Sequence, residues 1–350
     1  MAKRFDIPFV ESKEPNWRRV ATVTAPSVRA GRWANFGPVN DTFAARVTEM
    51  IGGQSDRVVV PSSSATTALY AVAGMHASRA NRPLVWAVSA FGFVSTVIGP
   101  LAGRVRIVDC DEHGMADLHQ LEQLDPHSWD GLIVTDVFGK GADLRGYQSL
   151  CDAQGKPLVV DAAVSFPTRR PGGITASVVV SFHHTKPWGF GEGGCAVVAE
   201  RDAALVQSFL NFGVGIDPAF AGYATNGKMS DLAAAAIVDR LRDMEDWGVA
   251  YRHQRLRIRT LAEAEGLDVL VDPPEAAVTP HVPVLASRPW ARDQLPPTRF
   301  AVAKYYRPLS AVSPMAAHLY GRIVNIPCHP GMAAVPNDEI GHFFRVLARR

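Results

Sequence analysis

The chain has 350 residues, 47% hydrophobic and 20% charged, a balance that excludes the disordered and fibrous classes and leaves room for a large domain and a smaller one. Its 36 basic and 34 acidic residues are interspersed and sum to a formal charge of +2, so no basic tract marks a nucleic-acid or membrane surface. Charges precede any leader-length apolar run and no stretch approaches the ~20 apolar residues of a membrane helix, so a soluble cytoplasmic protein is expected.

In chain order, the first thirty residues read as an arm lying on the main body. From about residue 57 one rhythm repeats: a short apolar run ends in small or polar residues and a helix-like segment follows. The runs are RVVVP (57–61), PLVWAV (83–88), VRIVD (105–109), GLIVTDVF (131–138), PLVVDAA (157–163), SVVVSF (177–182) and CAVVA (195–199). Near-continuous Val, Ile and Leu runs alternating with helices predict parallel strands buried on both faces, an α/β sheet covered by helices. Expected crossover helices are 64–80, opening on hydroxyl residues, and 143–155, running from Asp143 to Gly155.

Segment 229–266 carries apolar residues at helical spacing without proline, which predicts one long helix or two in succession. Beyond it the texture becomes proline-rich, and the expected division is 1–245 for the arm and large domain and 246–350 for the small one. Cys110, Cys151, Cys195 and Cys328 show neither CxxC spacing nor disulfide-scaffold density and read as buried, reduced thiols.

Ligands of open α/β sheets collect at the carboxyl ends of the strands. After RVVVP, the run Ser62 to Thr67 either caps a helix or turns its hydroxyls and backbone N–H groups into a phosphate cradle. After PLVV, Asp161 is a helix cap, a buried ion-pair partner, or a carboxylate facing a cationic ring nitrogen. Between SVVV and a glycine-rich turn stands Lys186, either paired with an anion or, with its amine pKa lowered by apolar surroundings, a nucleophile for a carbonyl and a base for a carbon proton. His183, His184 and Glu192 lack metal-ligand spacing, and no GxSxG elbow is present.

Several stretches together resemble the DegT/DnrJ/StrS family of pyridoxal-phosphate (PLP) dependent sugar aminotransferases, in the family's order and over nearly the whole chain. They are GRWANFGPV (31–39), SSATTAL (63–69), FGFVST (91–96), the block 137–163, SFHHTKPWGFGEGG (181–194), NGKMSDLAAA (226–235), YYRPL (305–309) and VNIPCHPGM (324–332). The resemblance implies PLP fold type I, the aspartate-aminotransferase type, with a large mostly parallel sheet domain, a smaller C-terminal α/β domain, and an antiparallel strand among the last runs.

By the same resemblance, Lys186 carries PLP as a Schiff base and shuttles a proton, and Asp161 keeps the pyridine nitrogen protonated. Ala65, Thr66 and Ser181 hold the phosphate, Phe93 covers one ring face, and Asn226 reaches across a two-fold interface toward the neighbour's cofactor phosphate, which implies a homodimer with shared active sites. Two positions depart from the pattern: Ala65 stands in a glycine position, and Val164 stands where the family has a glutamine near the cofactor's phenolic oxygen. Lys186 separates the chain from the dehydrating branch, which has histidine there. The implied reaction moves an amino group from glutamate or glutamine to a ketone on a nucleotide-activated sugar. The rivals are other PLP chemistry on a cyclitol or non-sugar substrate, and a non-catalytic PLP-binding regulator.

Overall fold

The computed structural model describes residues 5–53, 56–141, 143–167 and 175–349. All seven apolar runs form strands: β1 (Arg57–Ser62), β2 (Trp86–Ser89), β3 (Val105–Val108), β4 (Gly131–Thr135), β5 (Leu158–Asp161), β6 (Ser177–Ser181) and β7 (Gly194–Ala199). They make one sheet in the order β1-β7-β6-β5-β4-β2-β3, in which β7 runs antiparallel to β1 and β6 and the other pairings are parallel. Reading every run as parallel therefore fails at β7, where the expected antiparallel strand lies. The chain returns there through the loop 182–193, with no crossover helix, and so enters β7 as an antiparallel neighbour of β6.

The continuous apolar runs follow from burial of the sheet on both faces. Alternate residues Val60, Val88, Ile133, Val159, Val179 and Val198 pack with helices α4 (Ala65–Arg79) and α7 (Glu200–Leu210). Their neighbours, among them Val59, Leu132, Val134, Val160, Val180 and Val197, pack with α3 (Pro38–Ile51), α6 (Arg145–Ala153) and α8 (Asp231–Arg242). Segment 229–266 forms two helices, α8 and α9 (Met244–Ala264), broken at Asp243. The described part of the arm is extended to Asn16 and then forms two short helices, α1 (Trp17–Val23) and α2 (Ala25–Ala30), the first packed on α8.

A second sheet, in the order β10-β9-β8, holds β8 (Asp268–Val269), β9 (His281–Leu285) and β10 (Ile323–Pro327), all antiparallel. Helix α9 lies against β8 and β9, and α11 (Asn337–Ala348) packs on α9. The remaining helices are α5 (Leu118–Gln123) and α10 (Pro314–Arg322). Asp109, just past β3, ties the two sheets' surroundings together, since its carboxylate accepts the amides of Met315 at 2.8 Å and Ala316 at 2.9 Å in the first turn of α10. Among the described residues no helix is long and apolar enough to cross a membrane.

Candidate active site

Because β1, β2, β4, β5 and β6 run the same way, their carboxyl ends share one edge of the large sheet, and a cavity of about 410 Å³ opens there. Ala65, Thr66, Phe93, Asp161, Ser181 and Lys186 all line it, as does Val164.

The hydroxyl run after β1 caps α4 and opens the N-terminus of that helix onto the cavity. Ser64 caps α4, its Oγ accepting the Thr67 amide at 3.1 Å while Thr67 Oγ1 accepts the Ser64 amide at 3.2 Å. That leaves Ala65 and Thr66 as the first two helical residues, whose N–H groups have no acceptor within the helix. Together with the positive end of a 15-residue helix dipole, they form an anion cradle facing the cavity. A side chain at Gly194 would overlap the backbone of Ser64 and Ala65, so a glycine is needed for β7 to pass this close to the cradle.

Lys186 projects from a pinned turn. Its amide donates to the His183 carbonyl at 2.8 Å, its carbonyl accepts the Gly189 amide at 3.0 Å, and the buried Trp188 indole donates to the Ser181 carbonyl at 2.8 Å. A side chain at Gly189 would overlap the carbonyl oxygens of Phe182 and His183, so the turn closes this tightly only around glycine. Burial holds the Lys186 amine below the ordinary lysine range, with the Asp161 charge opposing. Burial also pushes the Asp161 carboxyl up, opposed by the Ala163 amide, which donates to Oδ1 at 3.0 Å, and by Lys186. The cavity thus favours a neutral, nucleophilic amine at one position and, at the other, a carboxylate that gains from a cationic partner.

Other wall residues carry no role in the sequence reading. Phe9 and Val10 come from the arm, His281 opens β9, and Tyr305 and Tyr306 follow from the same C-terminal part. The His281 imidazole is held neutral by burial, reinforced by the Lys186 charge, its pKa pushed down to about 3, and its Nδ1 has no hydrogen-bond partner among the described residues. At the mouth, His183 Nδ1 accepts the Thr185 amide at 3.2 Å, which puts the ring proton on Nε2, 3.4 Å from Glu192 Oε1.

Asn226 stands apart from this cavity. Its segment is fixed beside the start of α4 by the Ser63 amide, which donates to the Gly227 carbonyl at 2.7 Å, but its exposed side chain accepts from Lys228 Nζ at 2.7 Å. Asn226 is not among the residues that line the cavity.

A sequence model of the DegT/DnrJ/EryC1/StrS aminotransferase family matches residues 18–345. The chain belongs to that family. Among its relatives, an L-glutamine:2-deoxy-scyllo-inosose aminotransferase of Streptoalloteichus tenebrarius is 24% identical over 266 residues, 69% of this chain and 62% of the relative. A dTDP-4-amino-4,6-dideoxy-D-glucose transaminase of Escherichia coli is 23% identical over 225 residues, 61% of this chain and 58% of the relative. The chain spans about three-fifths of the length of the curated relatives it matches. In structure, a PLP-dependent aminotransferase fold from Bacillus cereus superposes with a TM-score of 0.79 at 20% identity, covering 97% of this chain and 99% of that one. The fold is fold type I.

Pyridoxal phosphate is the cofactor of this family, and the donor set fits it. The cradle at α4 suits its phosphate, the buried Asp161 carboxylate suits a protonated pyridine nitrogen, and Lys186 is the amine in the same cavity. Val164 lines this space too, and its side chain carries no hydrogen-bonding group.

Proposed function

We propose that the protein is a PLP-dependent aminotransferase that transfers an amino group from glutamate or glutamine to a ketone on a nucleotide-activated sugar. The observation that carries this reading is the convergence of Lys186, Asp161 and the α4 cradle on one cavity. Bound PLP supplies an electron sink for the pair left when a substrate carbon loses its proton. In this reading Lys186 Nζ anchors the cofactor and then moves that proton between carbons, and the Asp161 carboxylate holds a proton on the ring nitrogen. Ala65, Thr66 and Ser181 bind the phosphate, Phe93 covers the ring, and Phe9, Tyr305 and Tyr306 narrow the access of water.

The same reading makes the protein a homodimer in which Asn226 completes the neighbour's site, and divides the chain at 245/246, near the start of α9. A cyclitol ketone is the second substrate class, favoured by the likeness to the inosose aminotransferase. The test is the reconstituted protein incubated with glutamate or glutamine, followed by a panel of keto-sugar nucleotides and cyclitol ketones. Conversion of the bound cofactor to its amine form, then amination of a nucleotide sugar, is expected. Amination of cyclitols alone selects the second reading, and no conversion by any amino donor refutes amino transfer.

A further inference from the structure

The backbone around Lys186 is gripped from outside the cavity by two cations. Lys13 Nζ, on the arm, donates to the carbonyls of His184 and Lys186, each at 2.5 Å. Arg240, on α8, donates through Nε to the carbonyl of Pro187 at 2.9 Å. The arm itself is held by Glu11, whose Oε2 accepts Arg240 Nη2 at 2.6 Å and the Tyr251 hydroxyl at 3.0 Å. Three carbonyls of the turn, at 184, 186 and 187, therefore face charged donors, and one of them belongs to Lys186 itself.

A surface anchor for the arm would not need this arrangement. Carbonyl oxygens taken up by a cation resist rotation of their peptide planes, and those planes fix where the Lys186 side chain leaves the turn. We propose that Lys13 is a positioning residue for Lys186, so that docking of the arm and placement of the reactive amine are one event. Burial first, then Arg240 and Lys186, with Glu11 opposing, brings the Lys13 pKa down to about 7, so the ammonium that grips these carbonyls is present below that pH and is lost above it. The neighbouring His184 imidazole is lowered too, by burial first and by Lys13 second. The proposal rests on the reading of Lys186 as the cofactor's anchor.

The experiment compares full-length wild type with Lys13→Met and Glu11→Gln by two readouts. The first is amide hydrogen exchange of peptides covering 183–189, measured on cofactor-free protein. The second is the pH midpoint of the bound cofactor's visible band. Lys13→Met is expected to speed exchange in 183–189 by about tenfold or more and, by removing a positive charge near the amine, to raise the midpoint by about half a pH unit or more. Glu11→Gln is expected to loosen residues 5–16 without raising the midpoint, because it removes an anion. Either readout left at its wild-type value in Lys13→Met overturns the proposal, as does a Glu11→Gln variant that reproduces both changes. If Lys13→Met does not fold, Lys13→Gln, which loses the charge and keeps two N–H donors, is judged by the same criteria. If wild type binds no cofactor at Lys186, that reading fails by itself and the exchange result alone decides on Lys13.

Discussion

Asp161 and Lys186 are opposite charges enclosed in one cavity, and each is pushed toward neutrality by burial. A carboxylate in that position is worth most when it faces a cation, so its electrostatic value belongs to the loaded site. Asp161→Asn is expected to keep bound cofactor and to slow single-turnover amino transfer by about two to four powers of ten, the scale for removing a preorganised electrostatic group. Turnover near the wild-type rate would make the aspartate a structural residue. At this scale the sequence was readable where a polar residue ends an apolar strand, as at Asp161, because the strand's burial already says where its end must point. His281 was not readable. It stands at the start of a strand in another sheet and reaches the cavity only through the packing of that sheet on the first, which no local pattern encodes.

Two sequence motifs without an obvious chemical role meet at Asp231, the first residue of α8. Its carboxylate accepts Ser27 Oγ and Asn40 Nδ2 at 2.5 Å each and the Val39 amide at 3.2 Å, and its own amide donates to the Trp33 carbonyl at 2.9 Å. A side chain at Gly37 would overlap that carboxylate. The segment 31–39 and the start of α8 are thus joined through one fully buried acid that locks α2, α3 and α8 together. Replacing it leaves Ser27 Oγ and the Val39 amide without their acceptor and Asn40 Nδ2 with only the Met229 carbonyl, at 3.3 Å, at a cost of roughly 1–3 kcal/mol for each buried donor left unpaired. Asp231→Ala should lose about 3 kcal/mol of unfolding free energy, visible as a lower urea midpoint with the slope preserved. A loss under about 1 kcal/mol would show that water or rearrangement replaces these bonds. The strands were legible because burial on both faces leaves continuous apolar runs, whereas α1 and α2 were not. Val20 is the one buried residue of α1, so it has no apolar stripe for a periodic pattern to reveal.

For the whole molecule, the sequence indicated which residues share a site within one chain and left open what a second chain adds. Asn226 lies on the surface beside the start of α4, so the role we propose for it requires a second chain. If the dimer shares its sites, mixing an inactive Lys186→Ala chain with an inactive Asn226→Asp chain restores activity, since a heterodimer collects both defects in one site and leaves the other intact. No recovery from subunits shown to have exchanged contradicts the shared site, and so does a fully active monomer in sedimentation. Beneath all of this lies the assignment of Lys186. Wild-type protein incubated with PLP should turn yellow, and borohydride reduction followed by peptide mapping should find the cofactor on Lys186 alone. Label on a different lysine, or a protein that stays colourless, would contradict the account at its centre.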